Sequence, residues 1–151
     1  MRIIEDDLSH SHVQALLEQH ARGMEAHSPP GACHYFDLAA LRASDVTVWS
    51  IWAESALAGV GALREIDATH GEIKSMRTAD DYLSKGVGRR LLNHIIDQAS
   101  LRDYRRLSLE TGATEAFQPA LRLYRSAGFC ECGPFDNYEA SEFSLYFTLE
   151  L

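Results

Sequence analysis

Apolar and polar positions change their period several times along the chain, and each change marks an element. Met1 to Glu5 reads as a first strand. Ser9 is placed to cap a helix whose apolar residues Val13, Leu16, Leu17 and Met24 follow helical spacing. Ser28-Pro29-Pro30-Gly31 breaks the chain, and Asp37 to Arg42 predicts a second, short helix. Val46 to Trp52 and Leu57 to Ile66 read as strands around a tight Glu54-Ser55-Ala56 turn. A further turn over Asp67 to Gly71 leads into a strand that runs from Glu72 to Thr78. The clearest element follows, because Val87, Leu91, Leu92, Ile95, Ile96 and Ala99 form one apolar helical face. Leu107 to Thr111 predicts another strand. Pro119 suits the first turn of a helix continuing over Ala120 to Ala127, and Gly128 supplies its stop. Phe129 to Cys132 and Phe143 to Leu149 are strand-like, with a Gly133-Pro134 turn between them. With no repeat, low-complexity segment or linker, residues 1–151 read as one mixed α/β domain.

Composition narrows the function classes. Hydrophobic residues make up 46% of the chain and charged residues 24%, ordinary for a globular domain with a full core. No apolar run reaches the length of a membrane span and the N-terminus lacks signal-peptide architecture, so a cytoplasmic protein without membrane partners is expected. The net charge of −8 argues against nucleic acid as a partner. Cys33, Cys130 and Cys132 offer neither a disulfide framework nor a zinc-like ligand array, and His10-Ser11-His12 lacks further ligands at convincing spacing, so no metal is expected. Charge is unevenly spread, however. Residues 74–106 hold eight of the fourteen Lys and Arg residues against four Asp.

Within that basic segment lies Leu83-Ser84-Lys85-Gly86-Val87-Gly88-Arg89-Arg90, a glycine-punctuated loop that runs straight into the strongest helix. A helix N-terminus exposes unpaired backbone N–H groups along a favourable dipole, which suits a phosphate or pyrophosphate. A P-loop would need Gly-Lys-Ser/Thr, and a dinucleotide fingerprint would need a small residue where Leu91 stands. A second motif lies downstream, Ala120-Leu-Arg-Leu-Tyr124-Arg-Ser-Ala-Gly128-Phe129. With these two markers in this order of elements, the whole chain resembles the GNAT superfamily of acetyl-coenzyme A-dependent N-acetyltransferases.

The resemblance implies a three-layer α-β-α GNAT fold. Its twisted, mostly antiparallel sheet has about seven strands, with about four helices, and strands four and five are splayed apart. It implies acetyl-coenzyme A as donor. The backbone of Met76, Arg77 and Thr78 would hold the pantetheine arm. The pyrophosphate would rest on Leu83, Ser84, Lys85, Gly86, Val87, Gly88 and Arg89. Phe117 and Ala120 complete the donor site, and Leu83 and Phe117 stand where many relatives carry Gln or Arg and Asn. Tyr124 matches the tyrosine that protonates the departing thiolate, although its helical stripe also fits core packing. Glu72 matches a glutamate general base by its distance from Gly86, although it equally fits a strand-end carboxylate paired with Lys74. Glu110 is the rival carboxylate at the acceptor, and His70 a third option better suited to a turn. His20 to Phe36 would wall the acceptor site, with His27 and His34 among its polar residues. The function expected is transfer of an acetyl group to the primary amine of a small-molecule or amino-acid-like acceptor. A protein lysine or N-terminal acetyltransferase and a non-catalytic coenzyme A-binding module are the alternatives. A homodimer is an expectation of the resemblance alone.

Overall fold

The alternating segments become seven strands of a single sheet, in the order β1-β2-β3-β4-β5-β7-β6, in a computed structural model that describes residues 1–26 and 38–151. The strands are β1 (Arg2–Asp6), β2 (Val46–Ala53), β3 (Ala56–Asp67), β4 (His70–Thr78), β5 (Arg106–Gly112), β6 (Cys130–Cys132) and β7 (Ser144–Glu150). The helices are α1 (Ser11–Ala26), α2 (Leu38–Leu41), α3 (Val87–Leu101) and α4 (Gln118–Ser126). The predicted Ser28–Gly31 break and the Asp37 end of α2 lie outside the described residues.

Strand alternation sends side chains to two different helical layers. Trp49, Ile51, Leu63, Ile73, Leu107 and Leu109 pack with Val87, Leu91, Leu92, Ile95 and Ala99 of α3 and with Leu121 and Tyr124 of α4. On the other face Val48, Trp52, Val60 and Ala62 pack with Val13, Leu16 and Leu17 of α1 and with Leu41 of α2. Three layers result, as the family resemblance implies.

All neighbouring strands are antiparallel except β4 and β5, which run parallel and pair only over His70–Glu72 with Arg106–Ser108. Beyond Glu72 and Ser108 they part. Ile73 to Thr78 continues against β3 alone, and Leu109 to Gly112 against β7 alone. The splayed notch is therefore present.

Two local expectations are corrected. Ser9 does not cap α1, because its hydroxyl turns to Asp7 Oδ1 at 2.6 Å. The cap is His10, whose Nδ1 accepts the His12 N–H at 3.1 Å and whose carbonyl accepts the Gln14 N–H. His70 is not a turn residue either. It opens β4 and its Nε2 lies 2.6 Å from Ser108 Oγ, holding the closed end of the notch. Cys130 and Cys132 carry free thiols on β6, the first of them exposed.

β4 also carries an irregularity that no periodicity predicts. Lys74 pairs with Ala62 and Arg77 with Val60, so Ser75 and Met76 together oppose Gly61. This is a β-bulge, with Ser75 held at φ 56°. Lys74 and Arg77 are three residues apart in sequence. The extra residue brings both onto the α1 face, since their partners Ala62 and Val60 both pack with α1.

Candidate active site

The open side of the notch continues into a cleft of about 730 Å³ between β4, β5, α1 and the starts of α3 and α4. Its donor end is the glycine loop. Arg90 is the first α3 residue whose N–H reaches back to Gly86 O, at 3.1 Å, so the N–H groups of Val87, Gly88 and Arg89 have no carbonyl within the helix. Gly86 lies at φ 82°, a conformation that excludes most side chains, and a Cβ built there meets nothing within 4 Å. The space in front of this backbone is an open cradle that fits a pyrophosphate. Ser84 shares the left-handed conformation at φ 60°.

The side chains of this loop divide. Leu83, Ser84, Gly86, Val87, Gly88 and Arg89 line the cleft. Lys85 does not: its ammonium turns back onto the Asp81 carbonyl at 3.0 Å and over the Tyr82 ring. Arg89 Nη2 donates to Ser126 Oγ at 2.5 Å, joining α3 to α4 beside the cradle. Leu83 is 56% exposed and brings no polar side chain to the cradle.

Along β4 the strand's own hydrogen bonds decide which backbone groups face the notch. Ala79 N–H donates to Ala58 O at 2.8 Å. Alternation then turns the N–H and C=O of Arg77 toward β3 as well, and those of Met76 and Thr78 into the notch. Met76 and Thr78 thus present their backbone groups to the open side of β4. The backbone of Arg77 faces β3, and its side chain enters the cleft. Ala120 lines the cleft, as does Phe117, whose ring occupies the space over Gly112 that any Cβ would fill.

Tyr124 lines the same cleft at 7% exposure, edge-on to Phe129. Burial pushes its phenol well above the usual tyrosine range, so it stays protonated and able to donate. Glu72 is 1% exposed and both its oxygens are occupied. Arg64 reaches Oε1 from Nε at 2.8 Å and from Nη2 at 2.7 Å. The Tyr138 hydroxyl donates to Oε2 at 2.7 Å, and Lys74 Nζ lies 3.3 Å from it. Lys74 also donates to the Tyr138 oxygen at 2.7 Å. Burial lowers the Lys74 ammonium pKa, and Glu72 opposes that shift. Burial and Glu72 both raise the Tyr138 phenol. Arg64 further pairs with Asp136 at 2.6 Å, so the β6–β7 connection is fastened to the floor of the notch.

Glu110 stands on the open arm of β5, half-buried and lining the cleft, where the Tyr146 hydroxyl donates to its Oε2 at 3.2 Å. From α1, His20, Gly23 and Met24 form the opposite wall. Burial and the neighbouring Arg77 depress the His20 imidazole to about 4, which leaves it neutral. Arg22 pairs with Glu18 on the outer surface. His27 and His34 lie outside the described residues. Tyr138, Arg64 and Tyr146 were missed by sequence reasoning. Only Arg64 had a signal, as a charge inside an apolar strand, whereas Tyr138 sits in a loop with no period.

Residues 10–129 match the sequence profile of the Acetyltransferase (GNAT) family. An uncharacterized N-acetyltransferase of Bacillus subtilis, YsnE, is 46% identical over 151 residues, covering 100% of both chains. In fold, a putative acyl-CoA N-acyltransferase from Klebsiella pneumoniae superposes with a TM-score of 0.84 at 22% identity, over 99% of this chain and 97% of that one. A GNAT family acetyltransferase from Elizabethkingia anophelis, solved with acetyl-CoA bound, superposes with a TM-score of 0.74 at 20% identity, over 99% and 97% of the two chains. The chain belongs to the GNAT family of N-acetyltransferases.

Proposed function

We propose that this enzyme transfers an acetyl group from acetyl-coenzyme A to the primary amine of a small-molecule acceptor, with Glu110 as general base and Tyr124 as the donor to the leaving sulfur. The observation that carries this reading is the notch: an N–H-lined cradle at one end, an unpaired strand edge along one side and a buried phenol within the same cleft. Acetyl-coenzyme A supplies the acetyl thioester. The N–H groups of Val87, Gly88 and Arg89 would hold its pyrophosphate, and the free edge at Met76 and Thr78 its pantetheine amides.

An acceptor amine is an ammonium at neutral pH and must lose a proton before it can attack. Glu72 is the poorer base, because accepting a proton would break contacts to Arg64, Tyr138 and Lys74 inside the protein. Glu110 lies past the point where β4 and β5 part, and its carboxylate takes the proton there. As the C–N bond forms, the Met76 N–H is placed to receive the negative charge on the carbonyl oxygen. As the C–S bond breaks, the Tyr124 hydroxyl donates to the sulfur.

Release of free thiol from acetyl-coenzyme A against a panel of primary amines tests this, with mass spectrometry of the product. Equal amounts of thiol and N-acetylated amine are expected. Tight donor binding without turnover of any amine would overturn the reading. Acetylation confined to proteins of a lysate would move the acceptor to a polypeptide.

A further inference from the structure

The cleft separates its charges by strand. Glu110 lies on the β5 arm, whereas the α1 side of the cleft is lined by Arg77 with His20, Gly23 and Met24. Arg77 reaches that side only because the Ser75 bulge turns it onto the α1 face. Its guanidinium is not committed to a tight pair. Nε is buried with no hydrogen-bond partner among the described residues, and the nearest carboxylate, Asp80 Oδ1, is 3.7 Å from Nη2 and mostly exposed. A buried guanidinium N–H without a partner is costly, and a carboxylate satisfies it in fork geometry. His20, the other titratable group on this wall, is neutral and does not compete for an anion. Glu72 and Lys74, the remaining charges on this face of β4, are already bound to each other and to Tyr138.

Resting on the acetyltransferase reading above, we infer that the acceptor is a zwitterion of the α-amino acid class, its carboxylate held by Arg77 and its ammonium directed to Glu110. Arg77 is then a specificity residue and takes no part in the chemical step. An amine lacking the carboxylate would leave the guanidinium unsatisfied. Discrimination by a site built to hydrogen-bond a missing group is large.

The test compares matched acceptors on the intact enzyme: the twenty common amino acids, their carboxamides and their decarboxylated amines, followed by thiol release. At least one amino acid should exceed its own carboxamide and amine by about 10- to 100-fold in kcat/KM, chiefly through KM. Arg77→Met should collapse that preference toward one, and Arg77→Lys should retain part of it. Equal turnover of acid, amide and amine by the wild-type enzyme would overturn the inference while leaving the acetyltransferase reading intact. An Arg77→Met enzyme that keeps the full preference for the acid would do the same. Failure with every acid, amide and amine alike would overturn both.

Discussion

Tyr124, Glu110 and Glu72 line one cleft, and their surroundings assign them different work. If Tyr124 donates to the leaving sulfur as proposed, Tyr124→Phe should lower kcat about 10²-fold with KM for acetyl-coenzyme A little changed. Comparable loss in both would return Tyr124 to packing. The two carboxylates should separate in one pair of experiments. Glu110→Gln should lower kcat/KM by about 10²-fold, with partial recovery at high pH as free amine accumulates, and should barely move the melting temperature. Glu72→Gln should instead lose about 3–5 kcal/mol in denaturant unfolding, because Arg64 and Lys74 are left facing a neutral group. The place of Tyr124 in the cleft was legible because it sits in a motif of ten residues. The division of labour between the carboxylates was not, since it depends on Tyr138, which arrives from a distant loop.

The glycine loop and β4 behave as one device, and only half of it could be read ahead of the structure. Apolar spacing placed α3 and composition placed the loop. The bulge at Ser75 left no trace, because a single extra residue changes neither composition nor the length of the strand. Its effect is nonetheless to exchange the faces of all later residues, which is why Arg77 was assigned by its backbone and yet turns its side chain into the cleft. Gly86→Ala tests the loop. Holding alanine at φ 82° costs about 1–2 kcal/mol, and the added methyl group enters the cradle. KM for acetyl-coenzyme A should therefore rise far more than kcat falls, which steady-state kinetics with varied donor will show.

Across the whole molecule the layer order followed from apolar periodicity, while segments 27–37, with His27 and His34, lie outside the described structure. Burial of a titratable group adds a pH dependence. Burial, and then Arg77, depress the His20 imidazole from an ordinary 6.5 to about 4, so the unfolded chain binds the proton first as pH falls. The stability that neutral His20 permits is complete above about 6.5 and is lost progressively toward about 4. His70 is lowered in the same direction, by burial and then by Arg106. Thermal melts between those limits should decline for the wild-type protein and decline less steeply for His20→Gln. An unchanged slope would place the titration elsewhere.

The three-pair seam between β4 and β5 has one more consequence. A four-strand half and a three-strand half are welded over only three of the nine residues of β4 and three of the seven of β5, leaving two bare rims inside the molecule rather than at its borders. Bare rims invite pairing with foreign strands. A donor held between them, as proposed, would also be a gasket, and the enzyme would be at its most adhesive whenever that donor is scarce. Amides of Met76 and Thr78 should exchange with deuterium quickly in the free protein and slowly with coenzyme A, and light scattering on warming should begin earlier without it.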